Sequence, residues 1–246
     1  HRATHVTDGT PTSLVGSGRP TLDRATWIGY VQLSVYACFL YGFGATQALL
    51  RDEQGTTRAV AALHGTSLAI GGLIGALLTA RAIHRWGRGL VLRFAAIGTA
   101  ASILLYTEPA ASLGVTLTGA ALASLFGTML LISINAFLLD YQGAAGPAAL
   151  TQANALASFA GLLGPLLIGL GAATFLGWRA GLWLVVLLLL VIELWRGRNI
   201  AVFGTRRLAE KESDGRRLPR SIGWSLDLVM CFIGAEFCMT FWGADL

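Results

Sequence analysis

The chain has 246 residues, of which 54% are hydrophobic and only 13% charged. A soluble globular domain carries about 25% charged residues. A chain with half that charge and a mean hydropathy of +0.64 could not cover a soluble surface with polar groups, which argues against a soluble enzyme and excludes a disordered chain. The net charge of +5 leaves a nucleic-acid partner open until the positions of the charges are read.

Residues 1–26 are polar and rich in Gly, Pro, Ser and Thr. They have no apolar core of a signal peptide and are expected to form a disordered tail. A bilayer core of about 30 Å needs about 20 apolar residues in a helix. Seven stretches meet that length: 27–50, 61–80, 91–107, 112–139, 150–176, 180–195 and 222–244. The expected organisation is a six-transmembrane-helix bundle over 27–196, a charged linker over 197–221, and one further transmembrane helix over 222–246. The expected fold class is therefore all-α integral membrane.

Arg and Lys sort by side. Arg2, Arg19 and Arg24 precede the first span, and Arg81, Arg85, Arg88 and Arg93 join the second to the third. Arg196, Arg198, Arg206, Arg207, Lys211, Arg216, Arg217 and Arg220 join the sixth to the seventh. These fifteen fall on one side, against Arg51, Arg58 and Arg179 on the other. Basic residues stay on the cytoplasmic side, which predicts a cytoplasmic N-terminus and tail. The basic balance is thus a topology signal, and no nucleic-acid motif accompanies it. Cys38, Cys231 and Cys238 lie in apolar stretches without a CxxC or Cys/His cluster, so no metal, disulfide or cofactor is expected.

Four short segments then stand out. Ala80-Arg-Ala-Ile-His-Arg-Trp-Gly-Arg-Gly follows the second span, Gly161-Leu-Leu-Gly-Pro-Leu-Leu-Ile-Gly169 lies in the fifth, Gly177-Trp178-Arg179 precedes the sixth, and Arg51-Asp52-Glu53 follows the first. Together with six spans and a charged linker, this set resembles the major facilitator superfamily (MFS), in particular bacterial drug or metabolite exporters. The first segment is similar to the family's loop motif G-x-L-a-D-R-x-G-R. Arg85, Gly87 and Arg88 match it, Ala80 stands for the first Gly, and His84 stands for the Asp that helps latch the gate. Gly161, Gly164, Pro165 and Gly169 resemble a partial antiporter motif. Family members have twelve spans, so the resemblance implies an N-terminal six-helix bundle plus the seventh helix, with the second bundle missing.

Helical spacing places candidate site residues on shared faces. The first span carries Gln32, Tyr36, Phe39, Phe43 and Gln47, the fourth Ser124, Thr128 and Asn135, and the fifth Thr151, Asn154 and Ser158. Polar groups at membrane depth are costly without partners or water. A water-filled substrate path lined by Gln32, Tyr36, Phe43, Asn135, Asn154 and Ser158 would account for them, as would hydrogen bonds between helices. Glu236, in the middle of the seventh span, suits proton coupling. Asp140 and Glu193 fall at span ends where arginines cluster, and His64 is a candidate packing or titrating residue. Gly71, Gly72 and Gly75 let the second span approach a neighbour closely.

The expected function is a secondary active transporter of the bacterial inner membrane, coupling proton movement to efflux of small organic molecules by alternating access. Its expected partners are a small-molecule substrate, protons and the lipid bilayer. The alternatives are a permease subunit of an ABC-type assembly, with 196–220 as its coupling segment, and an intramembrane enzyme. No Walker A segment, HExxH or membrane-depth catalytic Ser motif supports either.

Overall fold

The computed structural model describes residues 18–197 and 201–204. The remaining tail, the rest of the linker and the predicted seventh span, with Glu236, lie outside the described residues. Within them the chain forms six long helices: α1 (Arg24–Gln54), α2 (Arg58–Trp86), α3 (Arg88–Tyr106), α4 (Leu113–Gln142), α5 (Gly146–Ala172) and α6 (Arg179–Arg196). Short 3₁₀ turns follow at Gly143–Ala145 and Ala201–Phe203. The shortest, α6, has 18 residues and spans about 27 Å at 1.5 Å per residue. That is close to the hydrocarbon thickness of a bilayer.

Local chemistry sets the boundaries. The Asp23 side chain accepts a 2.9 Å hydrogen bond from the Thr26 N–H and caps α1. Partial burial raises the Asp23 pKa, but bonds from Tyr141 and Thr26 outweigh it and hold the carboxyl below its usual value. One residue, Gly87 with φ 82°, joins α2 to α3; a side chain there would meet the left-handed penalty that glycine escapes. The apolar helical run Leu113–Ala172 is 60 residues long, long enough for two crossings, and it folds back at Gly143, where φ is 54°. Charge in α6 is confined to Arg179 at one end and Glu193 and Arg196 at the other, which leaves residues 180–192 apolar or small.

The predicted spans coincide with these helices to within about four residues, apart from α2, which continues six residues past Ala80 to Trp86, and the span that overruns its helix most is the fifth. There the apolar run continues to Leu176, but the helix stops at Ala172. Both the N–H and the hydroxyl of Thr174 turn back onto the Gly171 carbonyl, at 2.9 and 2.7 Å. Phe175 is left almost fully exposed. Hydropathy alone did not register that turn.

Successive helices run in opposite directions. Arg24, Arg81, Arg85, Arg88, Arg93 and Arg196 gather at the basic end, and Arg51, Arg58 and Arg179 at the far end. The bundle packs α1 on α5, α2 and α3 on α4, and α6 against α1, α3 and α5. α1 is the most enclosed: Leu33, Tyr36, Phe39 and Phe43 are buried. By contrast α2 presents Leu63, Ile70, Leu73, Ile74 and Leu77 outward, and α5 presents Phe159, Leu162, Leu166 and Leu170. Apolar belts of this extent do not occur on soluble monomers; they fit a lipid solvent.

Glycines make the close approaches. Gly71 and Gly75 lay α2 against the Ala121 and Leu125 backbone of α4. Gly164 of α5 lies against the Cys38 carbonyl and the Gly42 N–H of α1. A Cβ on Gly71 would fall 1.9 Å from the Ala121 oxygen, which is backbone and cannot rotate away. Gly65, one and a half turns earlier, has nothing within 4 Å. Gly71→Ala is therefore expected to destabilise the bundle by about 1–3 kcal/mol or more, the range for overpacked cores. Gly65→Ala is expected to be neutral or stabilising by up to about 1 kcal/mol. Thermal unfolding in detergent checks both; equal effects would contradict the α2–α4 packing.

Candidate functional site

Polar side chains inside the bundle gather in three clusters. The first lies toward the basic end. Glu193 on α6 is buried, and its Oε1 accepts a 2.8 Å hydrogen bond from Gln32 Nε2 on α1. Arg196 Nη1 stands 3.1 Å from the same oxygen, and Arg93 Nε on α3 stands 3.7 Å from Oε2. Arg196 also donates to Gln32 Oε1, Arg93 to the Gly197 carbonyl, and Arg24 to the Trp195 carbonyl at the end of α6. The Arg196 guanidinium lies 4.8 Å from the Phe203 ring, which packs on Phe137 at 4.7 Å. The chain beyond α6 is thereby folded back under the bundle, where the Gly204 carbonyl accepts a 3.3 Å bond from the Gly89 N–H. Beside it, Arg88 pairs with Asp140 and ties the start of α3 to the end of α4.

The second cluster closes the far end. Arg179 grips Glu53 with two bonds, Nη1 to Oε1 at 3.0 Å and Nη2 to Oε2 at 2.7 Å. Its Nε donates to the Thr107 carbonyl at 2.9 Å, and Trp178 Nε1 donates to Glu53 Oε1 at 2.8 Å. The guanidinium also covers the Trp178 ring at 4.5 Å. Planar paired bonds of this kind are the strongest that arginine makes to a carboxylate. They join the end of α1, the end of α3 and the start of α6.

The third cluster is uncharged. Tyr106, fully buried on α3, shares a 2.7 Å bond with Thr46 and accepts one of 3.0 Å from Gln47 Nε2. The His64 ring on α2 meets Tyr106 edge-on at 6.1 Å. Its Nε2 lies 2.8 Å from Thr116 Oγ1 on α4, and its Nδ1 lies 3.1 Å from the Ala61 carbonyl. Nearby, Gln54, Glu53, Glu108, Thr56 and Ser112 help line a cavity of about 350 Å³ that opens at the far end.

The sequence-predicted path residues do not share one wall. Gln32 belongs to the basic-end cluster. Tyr36 is pressed against Gly127 of α4, and Phe43 against Tyr106. These three are enclosed by the bundle because α1 lies at its centre. Asn135 on α4 is half-buried, and its Oδ1 has no hydrogen-bond partner among the described residues. Asn154 and Ser158 lie with Thr151 on an exposed polar face of α5; Asn154 Nδ2 donates to its own helix at the Leu150 carbonyl, and Gln152, on a different face, accepts a 3.1 Å bond from the Tyr30 hydroxyl of α1. In the loop motif, His84 and Arg85 are exposed, Gly87 makes the turn, and Arg88 reaches Asp140. In the antiporter-like motif, Gly161 faces Tyr41 and Gly164 faces Cys38 and Gly42, while Pro165 is exposed and Gly169 touches nothing nearby. Sequence reasoning expected Asp140 and Glu193 to pair with arginines, and they do. It missed the joining of Gln32 to Glu193 and the whole His64–Thr116–Tyr106 network. Depth was the available signal for the second, since His64, Thr116 and Tyr106 fall within two turns of the far end on their own helices.

Six antiparallel apolar helices, lipid-facing belts and internally paired charges define a multi-pass helical membrane protein. A family model of the Major Facilitator Superfamily matches residues 29–243, and the chain belongs to that superfamily. Its members are secondary transporters that bind small molecules within the membrane, not enzymes. No curated protein matches the chain.

The buried Glu193 carboxylate is held by Gln32 and two arginines, so neutralising it leaves Arg196 enclosed without a counter-charge. Glu193→Gln is expected to cost about 3–5 kcal/mol, the range for breaking a buried pair from one side. Replacing Arg196 by Met in the same chain is expected to recover part of that loss. Chemical or thermal unfolding in detergent measures both; a neutral single mutant would contradict the pairing.

Proposed function

We propose that the chain is a proton-coupled exporter of small organic molecules, a multi-pass protein of a bacterial inner membrane with its basic end in the cytoplasm. The observation that carries the reading is the α1–α5 contact. The antiporter-like glycines Gly161 and Gly164 bring α5 within backbone contact of α1 at Tyr41, Cys38 and Gly42. This contact is made mainly by close fit of backbone, with two hydrogen bonds across it, from the Tyr30 hydroxyl to Gln152 Oε1 at 3.1 Å and from Cys38 Sγ to the Ala160 carbonyl at 3.0 Å. Another face of α5 carries Thr151, Asn154 and Ser158, polar groups exposed beside the outward-facing Phe159 and Leu162. Exposed polar groups at membrane depth call for water or a ligand. The substrate path runs along this flank and past Asn135, whose Oδ1 has no hydrogen-bond partner among the described residues. Gln32, Tyr36 and Phe43 act behind that wall by setting the position of α1.

The sequence places fifteen basic residues in segments of one side against three on the other, which supports the orientation. His84, Arg85, Gly87 and Arg88 form the cytoplasmic gating loop, with Arg88 paired to Asp140. Glu236 is the proton-coupling carboxylate. Glu236 is an ionisable residue in an otherwise apolar stretch of sequence, and such residues mark proton and substrate paths in membrane proteins.

In proteoliposomes, an imposed pH gradient is expected to drive movement of a fluorescent amphipathic organic molecule, with no need for ATP. Glu236→Gln is expected to reduce that movement at least tenfold at unchanged protein level, and a cysteine at Ser158 is expected to be protected from a water-soluble thiol reagent by the transported molecule. Transport that ignores the pH gradient, or survives Glu236→Gln, would overturn the coupling. Labelling at Ser158 unaffected by substrate would remove α5 from the path.

A further inference from the structure

We infer that His64 is a proton-binding site inside the bundle, with the Thr116 hydroxyl as the partner that reverses its hydrogen bond when the proton arrives. The assignment follows from which atoms can donate. The Ala61 carbonyl, 3.1 Å from Nδ1, can only accept, so Nδ1 carries a hydrogen. In the neutral ring Nε2 is then a bare acceptor, and the hydroxyl of Thr116, 2.8 Å away, donates to it. Protonation places a hydrogen on Nε2, which must now donate. Thr116 can accept it because its own hydrogen has another destination: the Leu113 carbonyl lies 3.0 Å from Oγ1. One rotation of one hydroxyl satisfies both states, and no heavy atom has to move. A buried histidine held by two carbonyls would lack this freedom, since its neutral form would leave one nitrogen facing an acceptor without a hydrogen.

The surroundings supply a route. Gln54 Nε2 donates to Thr116 Oγ1 at 3.3 Å, and Gln54 lines the 350 Å³ far-end cavity. Its Oε1 is enclosed with no hydrogen-bond partner among the described residues. In the protonated state Thr116 accepts from both Gln54 and His64 and donates to Leu113, which uses all of its hydroxyl capacity. The step is a simple transfer: a hydronium ion entering from the cavity gives one proton to Nε2 beside Thr116 and leaves as water, and the charge of the ring rises by one. Around the ring, α3 contributes Tyr106 and α1 contributes the neutral Thr46, Gln47 and Gln54. The charged groups of this end are paired elsewhere: Glu53 on α1 with Arg179 on α6, and Asp52 with Arg51. Arg58 is exposed at the start of α2, and Glu108 stands exposed on the cavity rim. Among the described residues no carboxylate contacts the imidazole, so occupancy of the site tracks the proton concentration in the cavity. The inference deepens the proton-coupled reading by adding a site at the far end, away from Glu236 in sequence and element.

The test is ¹⁵N-histidine NMR of the whole chain in detergent micelles from pH 8 to pH 5, with His64→Gln assigning the signal among the four histidines. The expected result is an Nδ1–H tautomer at pH 8 that converts to the doubly protonated ring as pH falls. Thr116→Val is expected to weaken proton binding at least tenfold, because Nε2–H would then face a methyl group, whereas Thr116→Ser is expected to retain it. An Nε2–H tautomer at pH 8, a ring that stays neutral to pH 5, or an unchanged midpoint in Thr116→Val would overturn the site. The wild-type tautomer decides the matter even if Thr116→Val does not fold. Glu236→Gln in the transport assay does not move this titration, so failure of the coupled-export reading and failure of this site are told apart.

Discussion

An arginine meets a carboxylate at each end of the α1–α6 pair, and the arrangement of the bundle depends on those two meetings. At the far end Arg179 of α6 holds Glu53 of α1 through paired bonds. Toward the basic end Glu193 of α6 takes a hydrogen bond from Gln32 of α1 and is flanked by Arg196 and Arg93. Glu193 is buried, where a charged hydrogen bond gains strength from the low dielectric, whereas Glu53 stands partly exposed at the rim of the far-end cavity and relies on the paired geometry of its arginine. α1 and α6 are thus fixed in register at both ends, and α3 is drawn in through Arg93 at one end and the Thr107 carbonyl at the other. The three helices form a braced unit.

The remaining contacts have a different character. α5 meets α1, and α2 meets α4, through glycines set against backbone, with few directional bonds across the seam. Such contacts rely on dispersion and close fit. Several polar side chains along these helices satisfy themselves: Thr79 on α2, Thr118 on α4, and Thr151 and Asn154 on α5 each donate to the carbonyl four residues earlier. These seams combine close backbone fit with a few neutral hydrogen bonds, His64 to Thr116 across α2–α4 and Tyr30 to Gln152 and Cys38 to the Ala160 carbonyl across α1–α5, whereas α1 and α6 are held at their ends by charged groups. A superfamily whose members expose a binding site to alternate sides of the membrane needs elements of both kinds.

The fold was legible because the bilayer imposes a length and a hydropathy that sequence records directly, and six helices stand where apolar stretches predicted them. The end of α5 was misplaced because a hydroxyl turn at Thr174 stops a helix without any change in hydropathy. Motif resemblance found pieces of real machinery: Glu53 and Arg179, from two separate segments, bind one another. The polar stripe on α1 was read correctly as a stripe, but its direction was not available from spacing alone. Periodicity says which residues share a face, and only the packing of all six helices says that this face of α1 points inward. His64 was singled out as a packing or titrating residue, but its partner Thr116 was not, since that pairing arises only where α2 packs on α4.

Gly87 joins α2 to α3 as a single residue, with Arg85 exposed just before it and the Arg88–Asp140 pair just after. A one-residue joint has no slack, so any tilt of α2 is transmitted to α3 and carries these arginines with it through the headgroup layer. Near an anionic leaflet each such cation is attracted by about 1 kcal/mol. With the basic end in the cytoplasm, as proposed, the charge of the surrounding lipid then enters the energy of the hairpin's position. Headgroup composition becomes a setting of the conformational balance, acting at a corner of the protein that touches neither the polar flank of α5 nor the buried histidine.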